Sequence, residues 1–202
     1  MPEPDPQFVS LLEPVLDRIG LSPTDDQILQ LSRHYALLTQ WNQRVNLTSI
    51  RAPRAIIERH FGESLFLAIH LPKAKTVVDV GSGAGFPGLP LAVARPELTV
   101  TLVESIGKKA VFLKEASRKL ENVRVEQSRA ENLEAGYDWA VCRAVAVAEV
   151  LPVLADLADS IALMVSQSIA ARLGKDWGSP IPLPWGDERV LVMKYSGTPS
   201  ST

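Results

Sequence analysis

Residues 76–91, TVVDVGSGAGFPGLPL, join an apolar run, an acid and several closely spaced glycines, which is the pattern of a nucleotide-binding loop. Glycine lets the backbone turn sharply and approach a ligand without a Cβ in the way. The spacing G-x-G-x-x-G is satisfied by Gly83, Gly85 and Gly88, which would indicate a dinucleotide. In a dinucleotide-binding fold, however, the first glycine follows the strand directly, and here that residue is Gly81.

The end of this loop argues against a phosphate ligand. A pyrophosphate requires free amides at a helix N-terminus, but Phe86 and Pro87 stand there, and proline has no amide hydrogen. Counted from Gly81, the pattern is D-V-G-S-G-A-G, with Asp79 at the end of the strand. Such a loop resembles the cofactor loop of class I methyltransferases. Their ligand, S-adenosylmethionine, contains an amino acid and a nucleoside but no phosphate.

Two charged residues at other strand ends fit the same ligand. Glu104 closes the apolar stretch TLVE about 20 residues after the loop, where an acid is expected to bind ribose hydroxyls. Arg143 ends the apolar run WAVCR, and a charge at the end of a buried strand is costly unless it has a partner or a pocket. We therefore predict a ligand-binding role for Arg143.

The elements that must position these residues follow from the spacing of apolar side chains. The first clear helix is predicted to begin at Thr24, an N-cap for which Gln27 completes a capping box. A second helix is predicted from Pro53. After Pro72 short apolar runs alternate with helical stretches, which is typical of βαβ units and a parallel sheet. The predicted strands are TVVDV, LTVTLVE, VRVEQS, YDWAVCRA, SIALMVS and RVLVMKY.

These elements predict an α/β fold in three parts. Residues 1–72 form an N-terminal helical cap, residues 73–196 the domain with the glycine loop, and residues 197–202 a disordered tail. Roughly two dozen residues join the fifth strand to RVLVMKY, which is too few for a full helix and another strand. The C-terminal part of the sheet is therefore expected to be shortened.

Composition restricts the class of protein further. The formal net charge of −2 conceals an acidic segment before residue 44 and basic segments at 44–75 and 104–129. A single cysteine, Cys142, excludes an internal disulfide and a CxxC zinc site, and we expect it to be a buried apolar residue. No signal peptide or bilayer-spanning run is evident, so we expect a cytoplasmic protein without a membrane partner. We also expect a monomer that has no DNA partner.

Several motifs in order resemble one known family. These are NLTSIR, the helix ERHFGESL, DVGSGAGFPGLPLA, RPELTVTLVES with GKKAVFL, SRAENL and CRAVA, over roughly residues 25–157. They resemble the small-subunit ribosomal RNA guanine-N7 methyltransferase G family, also called glucose-inhibited division protein B. The resemblance implies a class I S-adenosylmethionine-dependent methyltransferase fold, Rossmann-like and mostly parallel. It also implies S-adenosylmethionine as methyl donor and a guanine N7 of bacterial 16S ribosomal RNA as acceptor.

The resemblance also implies which residues bind the two substrates. The family's cofactor contacts, carried over by position, fall on Gly81, Phe86, Ala130, Glu131 and Arg143, and the loop and strand-end analysis adds Gly83, Gly85 and Glu104. Methylation of a neutral N7 lone pair needs positioning but no general base, and no metal site is expected. The candidates for contact with RNA are Arg59, His60, Lys108, Lys109 and Arg129.

Two alternatives remain open from the sequence. Family members usually carry a lysine–glycine pair after the fifth strand, and this chain has Ser166, Gln167 and Ser168 there. A degenerate relative that binds S-adenosylmethionine or RNA without turnover is therefore the second hypothesis. A nicotinamide-dependent oxidoreductase is the third, and it rests on the literal glycine spacing from Gly83.

Overall fold

The computed structural model describes residues 3–143, 146–186 and 188–195. Helical segments precede the sheet. They are α1 (Pro6–Ile19), α2 (Asp25–Trp41), α3 (Pro53–Ile56), a π-helical turn (Ile57–Gly62) and α4 (Glu63–His70). The last three run on without a break, so the helix predicted from Pro53 is confirmed with a π-helical turn inside it.

Helix α1 precedes the first helix that the sequence pattern predicts. Asp5 caps it by accepting two backbone amides, and Gly20 ends it in the left-handed region at φ 68°. Its apolar residues Phe8, Leu12 and Leu16 are buried on one face. The capping residue and this spacing were a usable signal in an otherwise acidic, proline-rich segment. Helix α2 begins as predicted, with both hydrogen bonds of the capping box present.

The sheet has the order β3-β2-β1-β4-β5-β7-β6. Its strands are β1 (Thr76–Val80), β2 (Thr99–Val103), β3 (Val123–Glu126), β4 (Tyr137–Arg143), β5 (Ala158–Ser166), β6 (Ile181–Pro182) and β7 (Arg189–Lys194). The strands from β1 to β5 pair in parallel, and β7 runs antiparallel to both of its neighbours. The helices that follow the early strands are α5 (Gly88–Ala94), α6 (Gly107–Ala116), α7 (Val147–Leu157) and α8 (Gln167–Ala170). The predicted α/β fold with a mostly parallel sheet is confirmed.

The C-terminal part of the sheet is short, as predicted. Helix α8 has four residues and β6 has two, so the link after β5 contains only remnants of a helix and a strand. Ser166 caps α8 by accepting the amide of Ile169. The expectation of a disordered tail at 197–202 concerns residues outside those that the structure describes.

One hydrophobic core joins the cap to the sheet. Phe8 and Leu12 of α1 and Phe61 of the π-helical turn belong to the same buried cluster as Val77 of β1 and Leu91 of α5. The boundary predicted at residue 72 therefore separates elements that share a core. A second cluster fills the other face of the sheet under α7. None of the helices in the described ranges combines the length and apolar composition needed to cross a bilayer.

Candidate functional site

The carboxyl edge of the sheet holds two adjoining clefts at the point where strand order reverses between β1 and β4, the usual ligand position in such folds. The strand-end cleft, of about 450 Å³, is lined by residues including Gly81, Glu104, Arg129, Ala130, Glu131 and Glu149. The basic cleft, of about 470 Å³, is lined by residues including Thr48, Arg59, His60, Lys109, Arg143 and Arg189. Gly81 and Glu104 line both clefts, so the two clefts adjoin at these residues.

The amides of the glycine loop already have acceptors within the protein. Gly81 and Ser82 donate to the carbonyl of Val103, Gly85 and Phe86 to the carbonyl of Ser82. The Gly83 amide donates to Glu104 and the Gly88 amide to Asp79. A pyrophosphate needs such amides to be free. The loop therefore offers no phosphate cradle, which is a stronger reason against a dinucleotide than the proline alone.

The glycines of the loop serve two different purposes. Gly81 and Gly83, at φ 72° and 56°, line the clefts. Gly85, at φ 86°, lines neither cleft, and a Cβ there would lie 2.4 Å from a methyl carbon of Leu89. Gly85 thus supports the loop by close packing rather than by facing a ligand.

Asp79 holds the loop from beneath. Its Oδ2 accepts the amide of Gly88 at 2.9 Å, and the residue is fully buried. Burial raises the pKa of Asp79 to about 7, against the opposing effect of the Gly88 amide. A Cβ at Gly88 would lie 2.7 Å from the same carboxylate oxygen, so only glycine permits this contact.

Glu104 lies at the junction of the two clefts, where the sequence predicted an acid. Its Oε2 accepts the Gly83 amide at 3.1 Å and its Oε1 accepts the Ile106 amide at 2.8 Å. The side chain is 6% exposed. These two bonds fix the carboxylate in one orientation and leave each oxygen a further lone pair for a ligand hydroxyl.

The wall opposite the loop comes from the segment after β3. Ala130 and Glu131 begin a 3₁₀ turn (Ala130–Asn132), and together with Arg129 they line the strand-end cleft. Glu149 in the first turn of α7 faces them across the same cleft. Three carboxylates, those of Glu104, Glu131 and Glu149, therefore surround this cleft, which suits a ligand with hydroxyl and amine donors.

The π-helical turn carries residues of the basic cleft. A π-helical turn widens the backbone by one residue, and such turns are frequent at functional sites. Here the turn includes Arg59 and His60 and is followed directly by Glu63. Gly62 lies between them, and a Cβ there would lie 2.9 Å from the ring of Trp185. The close packing of Trp185 thus fixes the turn from behind.

Glu63 is a buried acid shared by three arginines. Its carboxylate lies 3.3 Å from Arg143 Nη1, 3.0 Å from Arg189 Nε and 3.3 Å from Arg59 Nε, and the residue is 1% exposed. Arg143 also donates to the backbone carbonyl of Arg59 at 2.5 Å. The partner that the sequence analysis required for Arg143 is therefore present. One carboxylate against three guanidinium groups leaves the cluster with a net positive charge.

His60 is held as a neutral donor. Arg143 Nη2 donates to its Nδ1 at 2.5 Å, so the ring proton is on Nε2, which donates to Thr48 Oγ1 at 2.8 Å. Burial and the neighbouring Arg143 lower the pKa of His60 to about 3. Since both ring nitrogens are engaged and the ring is neutral, His60 is not a free general base.

Phe86 joins the loop to two histidines. Its ring stacks on His60 at 4.7 Å and on His34 at 4.7 Å, and Arg143 Cζ lies 5.7 Å from its centroid. The ring is 4% exposed yet lines the basic cleft. Phe86 therefore acts as the support against which His60 and Arg143 are placed.

The two lysine candidates for contact with RNA differ in their position relative to the clefts. Lys109 lines the basic cleft and forms no ion pair with the residues that the structure describes, whereas Lys108 is exposed and lines neither cleft.

Burial raises the pKa of the Cys142 thiol to about 12, so it is not a nucleophile. Within the described ranges no three His, Cys, Asp or Glu side chains are grouped to hold a metal ion.

Sequence reasoning did not select Glu63, Arg189, Thr48 or Glu149. Glu63 had a usable signal, because it is an acid followed, after Ser64, by the apolar residues LFLA. Arg189 begins β7, and an antiparallel strand starts at the edge where parallel strands end. That position follows only once the direction of β7 is known. Thr48 lies in the quoted motif NLTSIR, which by itself assigned it no role, and Glu149 had no signal in the sequence.

The strand order, the reversed last strand and the glycine loop at the switch point define a class I methyltransferase fold. Solved structures agree on this fold. Magnesium protoporphyrin IX methyltransferase from Synechocystis PCC 6803 with bound SAM superposes with a TM-score of 0.57, at 15% identity, over 79% of this chain and 95% of that one. The 23S rRNA methyltransferase ErmE superposes with a TM-score of 0.52, at 14% identity, over 67% and 70% of the two chains.

The chain belongs to the GidB family, described as rRNA small subunit methyltransferase G, whose model matches residues 27–165. The resemblance inferred from the motifs is thus confirmed. Ribosomal RNA small subunit methyltransferase G of Clostridium perfringens is 39% identical over 150 residues, 69% of this chain and 63% of the relative. That of Xanthomonas euvesicatoria is 50% identical over 118 residues, 56% of this chain and 55% of the relative. The chain therefore spans a little over half the length of these two curated relatives.

Proposed function

We propose that this protein transfers the methyl group of S-adenosylmethionine to the N7 atom of a guanine in small-subunit ribosomal RNA. The observation that carries the proposal is the pair of adjoining clefts, one rich in carboxylates and one rich in cations, which meet at Gly81 and Glu104. Family membership supports the same reaction. The substrate would be met in the bacterial cytoplasm, and we expect the protein to act as a monomer.

The residues of the strand-end cleft fit S-adenosylmethionine. The loop has no free phosphate cradle, and this cofactor has no phosphate. The fixed carboxylate of Glu104 suits ribose hydroxyls, and Ala130 with Glu131 suits the donor edge of an adenine. When bound, the cofactor supplies an electrophilic methyl group on a sulfonium. Gly81 and Gly83 keep the floor of the junction free of side chains.

The residues of the basic cleft fit an RNA acceptor. Arg59, Arg189 and Lys109 provide positive charge for phosphates, and Arg143, which we expect to bind the cofactor, lies in the same lining. Among the described residues, Glu104 is the acid that lines this cleft, and Glu63 lies behind the arginines. Guanine N7 is a neutral lone pair, so methyl transfer requires no proton removal. The site agrees with that requirement, since His60 is neutral with both nitrogens engaged. The chain's contribution is in-line positioning and exclusion of water.

The experiment is transfer of labelled methyl groups from S-adenosylmethionine to 16S ribosomal RNA and to small subunits from a strain that lacks the modification. We expect one labelled guanine, mapped by cleavage at N7-methylguanosine. RNA from the parent strain, in which this guanine is already methylated, is the control and should accept no label. Folded protein that binds S-adenosylhomocysteine but labels neither substrate would contradict the proposal and favour the degenerate relative.

A further inference from the structure

A third cleft lies away from the glycine-loop site, between α2 of the cap and the helices α5 and α6. It has a volume of about 260 Å³. This is below the roughly 300–1,000 Å³ of pockets for drug-sized ligands, so it suits one small ring system. Its walls are apolar, formed by Leu37, Leu89, Val93, Ala116 and Leu120.

His34 lines this cleft and has a buried acceptor, Nδ1. Its Nε2 donates to the backbone carbonyl of Ala84 at 2.8 Å, so Nδ1 carries a lone pair. Nδ1 is buried and has no partner among the described residues, and the side chain is 4% exposed. Burial also lowers the pKa of His34 to about 4, so the ring is neutral at pH 7. A buried acceptor without a donor is unfavourable, and a ligand N–H or O–H group would relieve it once the side chains that cover Nδ1 move aside.

The rim of the cleft carries unpaired positive charge. Arg33, Arg118 and Lys119 lie on it, and none of them forms an ion pair within the described part of the chain. Glu115 is the acid in the lining, so the rim is net positive. A complementary ligand would therefore have three features: an apolar body, a hydrogen-bond donor for His34 and an anionic group for the rim.

His34 also connects this cleft to the glycine loop. Its Nε2–H holds the carbonyl of Ala84 inside the loop, and its ring stacks on Phe86 at 4.7 Å. The other face of Phe86 supports His60, which Arg143 contacts in the basic cleft. A ligand that bonds to His34 would therefore act on the loop through two direct contacts.

We propose that the cleft between α2, α5 and α6 is a second ligand site, which takes a small aromatic anion with a ring N–H or O–H donor and which is coupled to the glycine loop through His34. The proposal does not depend on the methyltransferase reaction. A ligand of the basic cleft that moves the loop should change the affinity of this second site for its own ligand. Because the coupling is reciprocal, a ligand at the second site should change the affinity of the basic cleft by the same factor.

Indole-3-carboxylate is the probe, titrated into the full chain and followed by isothermal calorimetry and amide NMR signals. A ligand of this size should bind with a Kd of about 1 mM. Naphthalene-1-carboxylate, which lacks the N–H, should bind about fivefold more weakly, and so should indole, which lacks the anion. The amide signals of Gly83 and Gly85 should shift with the same Kd.

Two variants locate the binding. Ala116→Phe fills the cleft at a half-buried position and should abolish binding, and Arg118→Glu at the exposed rim should weaken it about tenfold. Lys114→Glu, exposed on the same helix but outside the cleft, is the matched control and should bind as the parent does. Absence of saturable binding by the parent chain, or binding that both cleft variants retain, overturns the site. Binding that leaves the loop signals unmoved overturns the coupling.

Discussion

The carboxylate of Glu63 lies 3.3 Å from the guanidinium of Arg143 and is the acid on which Arg59 and Arg189 also converge. All three arginines line the basic cleft, whereas Glu63 lies behind them with 1% of its surface exposed. Glu63 thus fixes the positions of the cations without facing the ligand itself. This arrangement makes the charge of Glu63 a structural requirement of the site.

Replacing Glu63 by Gln should destabilise the fold and lower methyl transfer together. Removing one partner of a buried ion cluster costs on the order of 3 kcal/mol, because the remaining charges keep their desolvation penalty. Three arginines would then repel one another without their shared acid. Urea denaturation gives the free energy of unfolding, and kcat/KM for ribosomal RNA gives the effect on the site.

The matched control is Glu58→Gln, one turn earlier on the same helical segment. Glu58 pairs with Arg54, whose side chain is 78% exposed, so its loss should cost less than about 0.5 kcal/mol. Glu63→Asp keeps the charge and should retain more stability than Glu63→Gln. Equal losses in Glu58→Gln and Glu63→Gln would contradict the role given to Glu63.

Replacing Arg143 by Ala should remove most of the stabilisation by S-adenosylhomocysteine. A ligand at 100 times its Kd stabilises the native state by about 2.7 kcal/mol, which appears as a rise in Tm. Without Arg143, the ring of His60 also loses the hydrogen-bond donor that holds it in place against Phe86. Arg54→Ala, on the surface, should keep the full rise in Tm. If Arg143→Ala also keeps it, the residue does not bind the cofactor.

Alanine at Gly83 and at Gly85 should have different consequences, although both positions have positive φ. A Cβ at Gly83 has only the carbonyl oxygen of Gly81 near it, at 3.8 Å, so Gly83→Ala should cost about 1 kcal/mol of backbone strain. A Cβ at Gly85 would overlap Leu89, so Gly85→Ala should cost about 3 kcal/mol. Thermal denaturation measures the loss of stability in each variant. For Gly83→Ala we expect the effect on ligand affinity to be larger than the effect on stability.

The buried carboxyl of Asp79 should make stability fall as pH rises from about 4 to 7. Its folded pKa, about 7, exceeds its unfolded value of 3.8, so the folded state binds the extra proton in this window. Above pH 7 both states are ionised, and the stability contributed by the proton is lost. Asp79→Asn stays neutral, so its stability relative to the parent should increase by about 4 kcal/mol between pH 4 and pH 8. Urea denaturation across this range measures the difference. A difference independent of pH would mean that Asp79 titrates normally.

Lys109 and Lys108 should differ in their effect on RNA binding. Lys109 lines the basic cleft, and Lys108 does not. Lys109→Ala should lower the slope of log Kd against log salt by about 0.7–0.9, which corresponds to one lost phosphate contact. Lys108→Ala should change this slope less. Filter binding of a 16S ribosomal RNA fragment at several salt concentrations measures both, and the reverse order would exclude Lys109 from the interface.

Local patterns in the sequence were sufficient for most of the fold. The capping box at Thr24, the apolar runs of the sheet and the glycine loop after β1 are each specified by residues close together in the chain. The exclusion of a phosphate ligand also followed from adjacent residues, Phe86 and Pro87. These predictions held because their causes are local.

The clusters of the site depend on contacts between distant segments. Glu63 meets Arg143 and Arg189 across separations of 80 and 126 residues, and the strand that carries Arg189 had first to be known as antiparallel. The burial of His34 and His60 on the two faces of Phe86 depends likewise on packing of the cap onto the loop. From sequence alone His60 was a candidate for contact with RNA, but the burial of neither histidine could be predicted.

The two-residue strand β6 has a consequence for self-association. It lies at the outer edge of the sheet, where an unpaired strand invites another chain to pair with it. Pro182 has no amide hydrogen to donate, and Pro180 and Pro184 flank the strand on either side. This edge of the sheet is therefore a poor template for a further strand.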